Sequence, residues 1–200
     1  MLAVAVRALV NTALRMVYPF LPAFARGLGV ETAVLARIVA ARGFAGMASP
    51  LLGGVSDRFG RKPMLVAATA AFAVACLLPV VHPAVAPFGA SLILVGLAKT
   101  AFDPAFHGLV ADEVPYARRG LAVGLSETSW ALALLVGAPS IAWMLAGPAV
   151  RWPWLGPRPA WTTPFAVLGL AGIIGAIALA VRVPRRGARR PAGHPRTTLL

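Results

Sequence analysis

Arg7, Asn11, Arg15, Tyr18 and Pro22 follow one another at spacings of four, four, three and four in an otherwise apolar stretch. On a helix they form one stripe. Arg15 falls about 16 Å along that helix, too deep for its charge to snorkel to water. It is expected to meet a buried acid or a passing anion. Lys99, Asp103 and His107 form a second series at i, i+4. The first two can pair, and His107, one turn on, could relay a proton. Pro104 removes a backbone hydrogen bond and permits a kink there. Glu127 lies roughly 12 Å into its segment. Charge is costly where water is scarce, so this carboxyl is a candidate proton carrier, or a partner for Arg15 or Arg42. Arg42 is similarly deep, whereas Arg37 is nearer an end and can snorkel. For all of these residues two readings stay open: a structural ion pair, or a substrate or proton pathway.

Six apolar segments carry these groups, near 4–25, 32–55, 63–82, 87–111, 119–146 and 162–182. Each is long enough to cross the roughly 30 Å of bilayer hydrocarbon as a helix, the form that satisfies every backbone group internally. Hydrophobic residues make up 59% of the 200-residue chain and charged residues only 12%, too few to cover a soluble domain. The fold class is therefore an all-α membrane protein, a six-helix transmembrane domain over 1–182 with a basic tail or linker over 183–200. Small residues such as Gly43 (with the adaptable Met47), Gly169 and Gly172–Ala176 offer packing faces between helices. The third and sixth segments lack ionisable residues between Met64 and Val81 and between Thr162 and Val181. The simplest packing sets spans one, two, four and five around a polar pathway and turns spans three and six to lipid.

The net charge of +13 sits mainly in the joints and the tail, not on one helix face, which argues against a nucleic-acid partner. Arg58, Arg61, Lys62, Arg118, Arg119 and the arginines after Val181 all fall on one side, so that side is expected to be cytoplasmic, with both termini on it. Trp152, Trp154 and Trp161 then suit the outer interface. A stop-transfer anchor, attraction to anionic inner-leaflet lipid and a linker are the roles open to the tail. Cys76 has no partner for a disulfide or metal site, and His82, His107 and His194 make no recognisable metal motif. No phosphate-binding loop or nucleophile–base pattern is present. Neither a cofactor nor an enzyme activity is expected.

The joint after the second span reads Gly53-Gly54-Val55-Ser56-Asp57-Arg58-Phe59-Gly60-Arg61-Lys62-Pro63. Asp57 can bind Arg61 or cap a nearby helix, and Asp112, beyond span four, is close enough to share Arg61. With Arg118 these groups could form a latch that breaks between two conformations. From Gly53 to Lys62 the segment resembles the loop signature of the major facilitator superfamily, and the Tyr18-to-Pro22 stretch is similar to first helices of bacterial members. The resemblance covers the whole chain as the family's N-terminal six-helix half. It implies a gating role for Gly53, Asp57, Arg58, Gly60, Arg61 and Lys62, with Asp112 in the same charge network. It implies a secondary transporter in the cell (plasma) membrane that moves a small-molecule solute by alternating access. Protons are the expected driving ion. The partner is a C-terminal half or a second half-size subunit. Lys99 stands where the family often has an arginine, and Ala138-Pro139 after Gly137 meets an exporter signature only in part, a lean toward antiport and efflux. A non-catalytic scaffold or accessory subunit, or an inactive half, is the alternative.

Overall fold

The computed structural model describes residues 2–48, 54, 60–148, 150–152 and 155–182. Its helices are α1 (Leu2–Arg15), α2 (Val17–Leu28), α3 (Thr32–Arg42), α4 (Arg61–Val81), α5 (Val85–Glu113), α6 (Arg119–Leu132), α7 (Ala138–Ala146) and α8 (Thr163–Arg182). A 3-10 segment, Gly43–Ala48, continues α3, and a π-helical turn, Ala133–Gly137, joins α6 to α7. Four stretches are long and apolar enough to cross a bilayer: Arg61–Val81, Val85–Glu113, Tyr116–Ala146 and Ala160–Arg182. The pair α1 and α2 makes a fifth if counted as one bent span. These correspond to the expected first, third, fourth, fifth and sixth segments. The expected second span, 32–55, is described only through Ala48 and at Gly54.

Local chemistry explains the breaks. The first segment is not one rod: α1 and α2 meet at 55° around Met16. Pro19 has no N–H to give to the Arg15 carbonyl one turn earlier, and its ring crowds that oxygen. Pro139 stands in the same relation to Leu135, inside the π turn. Pro104 produces no such break, since α5 runs through it as one helix from Val85 to Glu113. The expected weak point there is absent, and the weak points fall in spans one and five. α2 ends at Gly29, whose φ of +68° suits a residue without a Cβ. There the Gly29 and Val30 amides close the helix on the Arg26 and Ala25 carbonyls.

Two apolar clusters hold the bundle. At one end, Phe24, Phe88, Phe165 and Trp161 pack largely edge-on, with centroids 5.4–6.5 Å apart. They join α2, α5 and α8. At the opposite end, Val6, Leu65, Phe102, Phe106 and Leu179 join α1, α4, α5 and α8. α4 and α8 touch through small residues. A methyl on Gly172 would lie 3.0 Å from Ala73 Cβ, and one on Gly175 would lie 3.0 Å from a Val6 methyl. The exposed positions of α4 are Pro63, Ala67, Ala70, Ala71, Val74 and Val81. Those of α8 are apolar up to Arg182. By contrast a Cβ built on Gly43 would meet nothing within 4 Å among the described residues, and Met47 is exposed, so these two side-chain positions make no close helix contact there. One small departure from an all-helical chain is a two-strand hairpin between α7 and α8, Val150–Trp152 paired antiparallel with Gly156–Arg158.

Candidate functional site

Arg7 is the centre of the buried charge. It is 6% exposed, on the N-terminal half of α1. Its Nε faces Asp103 Oδ1 of α5 at 3.4 Å, and its Nη1 donates to Glu127 Oε1 of α6 at 2.9 Å. The same Nη1 reaches the Ser126 carbonyl at 3.0 Å and the Ser126 hydroxyl at 3.2 Å. Its guanidinium also lies 5.2 Å from the Phe106 ring centroid. Lys99 Nζ donates to Asp103 Oδ2 at 2.6 Å, one turn away on the same helix. Two cations and two carboxylates therefore bind three spans together. Such a network is costly to leave half-satisfied and rigid when every member has a partner.

The expected stripe on span one is split by the bend. Asn11 stays with Arg7 on the inner rod and donates to Ser129 Oγ of α6 at 3.2 Å, both residues buried. Arg15 meets no carboxylate among the described residues; its guanidinium stacks 4.4 Å from the centroid of Trp130. Tyr18, past the bend, is 62% exposed and turns instead to α3, where Arg42 Nη2 donates to its hydroxyl at 2.8 Å. Pro22 is exposed. Glu127 thus pairs with Arg7, and with neither Arg15 nor Arg42. Arg7 belonged to the expected stripe, but the sequence pointed to Arg15 as its deep charge, and the structure gives the acids to Arg7. Its place in register with Asn11 was the available signal. Ser126 and Ser129 gave none beyond their place beside Glu127.

Arg42 is 7% exposed and also donates through Nη1 to the Leu14 carbonyl at 3.0 Å. It lines an open cleft of about 510 Å³ between α1, α2, α3 and α5, together with Tyr18, Lys99, Thr100, Asp103 and His107. Leu14, Val39, Pro104 and three glycines give the cleft its apolar lining. His107 is exposed at this cleft and rests edge-on to Phe106, 5.6 Å between centroids. Most of the candidate pathway residues therefore converge on one volume or on the network behind it, and Arg15 stands apart. Among the described residues no group of three His, Cys, Asp or Glu side chains could hold a metal ion.

The joint residues are described in part. Gly53, Asp57 and Arg58 lie outside the described residues. Gly60, at φ +98°, leads into α4, whose first turn carries Arg61 and Lys62. Arg61 Nε approaches Asp112 Oδ2 of α5 to 3.6 Å, and its side chain lies against Gly108, where a Cβ would collide with it. Arg118 is exposed in a short 3-10 turn. It is Arg119 that closes the end of α5, donating from Nη2 to the Ala111 carbonyl at 2.7 Å and from Nε to that of Val114 at 3.1 Å.

The family sequence model described as Major Facilitator Superfamily matches residues 3–199. The chain is 33% identical over 127 residues to the uncharacterised MFS-type transporter YwfA of Bacillus subtilis (strain 168), covering 62% of this chain and 30% of that protein. It is 31% identical over 137 residues to the multidrug resistance protein MdtG of Serratia proteamaculans (strain 568), covering 64% of this chain and 33% of that protein. The MdtG protein of Enterobacter lignolyticus (strain SCF1) matches at 31% over 137 residues, 64% and 32% of the two chains. The match spans about a third of the length of these curated relatives.

Proposed function

This chain belongs to the major facilitator superfamily, a family of multi-pass membrane transporters, and from that we propose that it is the N-terminal half of a proton-coupled exporter of small solutes, working by alternating access. The observation that carries the reading is the Arg7–Asp103–Glu127–Lys99 network, set among apolar helices and reaching the cleft at Lys99 and Asp103. Ionic groups at membrane depth belong to substrate or ion routes far more often than to anchors. The name of the MdtG relatives, multidrug resistance protein, supports export. Protonation of Glu127, half-exposed at the edge of the network, would release Arg7, and the freed guanidinium would then bias the bundle between its inward and outward forms. Arg61 and Asp112, on the basic side assigned to the cytoplasm, serve as the latch for one of those forms, with both termini on that side.

The partner is a second six-helix bundle, supplied by a C-terminal half or a half-size subunit. Span five supports this. Leu121, Leu125, Leu132, Leu135 and Trp143 are exposed along it, and so is the Glu127 carboxylate. A face bearing a carboxylate is poorly suited to acyl chains but well suited to a protein wall around a wet cavity.

The test is flux in membrane vesicles carrying the chain with its other half, under an imposed pH gradient. Glu127→Gln and Asp103→Asn are each expected to abolish the gradient-driven component. Flux that ignores the gradient, or that survives both changes, removes proton coupling through these carboxylates.

A further inference from the structure

Charge along the cleft does not balance. Arg42 and Lys99 bring two cations to its wall and Asp103 brings one carboxylate, while Arg7 and Glu127 stand as a pair in the network behind it. The carboxylates are committed: Asp103 gives one oxygen to Arg7 and the other to Lys99, and Glu127 gives Oε1 to Arg7. Arg42 receives only neutral acceptors, the Leu14 carbonyl and the Tyr18 hydroxyl, with the Tyr18 ring 5.1 Å away. It faces no carboxylate among the described residues, although it is 93% buried. Lysine or histidine could relieve such a position by shedding a proton, whereas arginine keeps its charge in proteins. A buried charge without a counter-charge costs several kcal/mol as a rule, in order of magnitude. Its remaining N–H groups form a planar fork suited to two oxygens of one anion.

We propose that Arg42 is the docking point for the anionic group of the transported solute, and that the cleft takes a small organic anion with an apolar body. This inference rests on the transporter reading above. Leu14, Val39 and Pro104 would carry the apolar body, and Thr100 offers a hydroxyl nearby. Binding the anion brings the local charges to neutrality, so solute occupancy and the state of the Arg7 network become linked through one electrostatic field. A cation of the same size would instead be repelled by Arg42 and find Asp103, the acid lining the cleft, already held between Arg7 and Lys99.

The experiment uses the chain in lipid nanodiscs with 15N-labelled arginine, titrated with benzoate, phenylphosphonate, benzamide and benzyltrimethylammonium. The Arg42 side-chain resonance is assigned by its loss in Arg42→Lys. Benzoate or phenylphosphonate is expected to shift that resonance, and the tighter of the two identifies the headgroup. Arg42→Gln should weaken binding of that anion at least tenfold and leave benzamide within twofold. If Arg42→Gln fails to fold, Arg42→Lys keeps the charge without the fork and should weaken the anion at least threefold. Equal binding of benzamide or benzyltrimethylammonium overturns the proposal, as does an anion affinity unchanged in the variant that folds. Vesicle flux separates the two readings. No flux of any of the four solutes, with Arg42 still titrated by the anion, defeats the transporter and keeps the site. Flux of the amide or cation that does not need Arg42 does the reverse.

Discussion

The pair α4 and α8 and the group α1, α5 and α6 solve opposite problems in the same solvent. α4 and α8 carry no Asp, Glu, Lys, Arg or His between Met64 and Val81 or between Thr163 and Val181. They meet through glycine and alanine at near-contact distance and turn apolar side chains outward. In lipid, where apolar surface gains nothing by leaving its surroundings, close backbone packing of this kind is what holds helices together. The other group holds together by charge. Arg7, Asp103, Glu127 and Lys99 bridge three helices that pack loosely, and both proline-induced irregularities lie here, at Met16 and at Ala133–Gly137. Under the proposed alternating access, the difference would separate a scaffold from a moving part: shape-matched contacts fix one geometry, whereas ion pairs can exchange partners.

That contrast can be broken most severely at Arg7. Arg7→Leu leaves Glu127 without its cation and Asp103 with Lys99 alone, and the loss is expected to be about 3 kcal/mol, seen as a fall in thermal unfolding temperature in detergent. The double change Arg7→Leu with Glu127→Gln should recover part of it, because one orphaned charge goes with its partner. No recovery would mean that the two do not interact in the membrane. Gly172→Leu attacks the scaffold instead. Overpacking Phe72 and Ala73 should cost about 2 kcal/mol, while transport per folded molecule stays near the parent rate. A transport defect larger than the folding defect would place this contact in the moving part. Asn11→Ala leaves Ser129 without its donor and should cost about 1 kcal/mol in the same unfolding assay. Trp130→Leu removes the stacking surface of Arg15, an effect of about 0.5 kcal/mol. It sharpens the comparison by showing how little a half-buried arginine needs an aromatic lid when no acid is near.

The sequence was most legible where the solvent dictates the answer. Spans expected at 63–82, 87–111, 119–146 and 162–182 correspond to helical stretches at Arg61–Val81, Val85–Glu113, Tyr116–Ala146 and Ala160–Arg182, because length and apolarity alone decide them. Which proline breaks a helix was not legible. Pro19 and Pro104 both lack an N–H, and only packing decides that one helix bends and the other runs on. The site was legible as a set of residue types. Lys99 and Asp103 are local neighbours whose contact follows from helix geometry. Partners across 96 and 120 residues, Asp103 and Glu127 on Arg7, depend on how the rods rotate against each other, which no periodicity specifies. The same holds for Arg42, whose lack of an acid among the described residues emerges only once their carboxylates are assigned.

The bend at Met16 has its own consequence. It cuts the first span into two levers on a common hinge. The lower lever is moored by Arg7 and Asn11, and the upper one, through Tyr18, borders the cleft near Arg42. A swing of the upper lever can reshape the mouth of the cleft while the ions below keep their partners, so the doorway can open without dragging charge through oil.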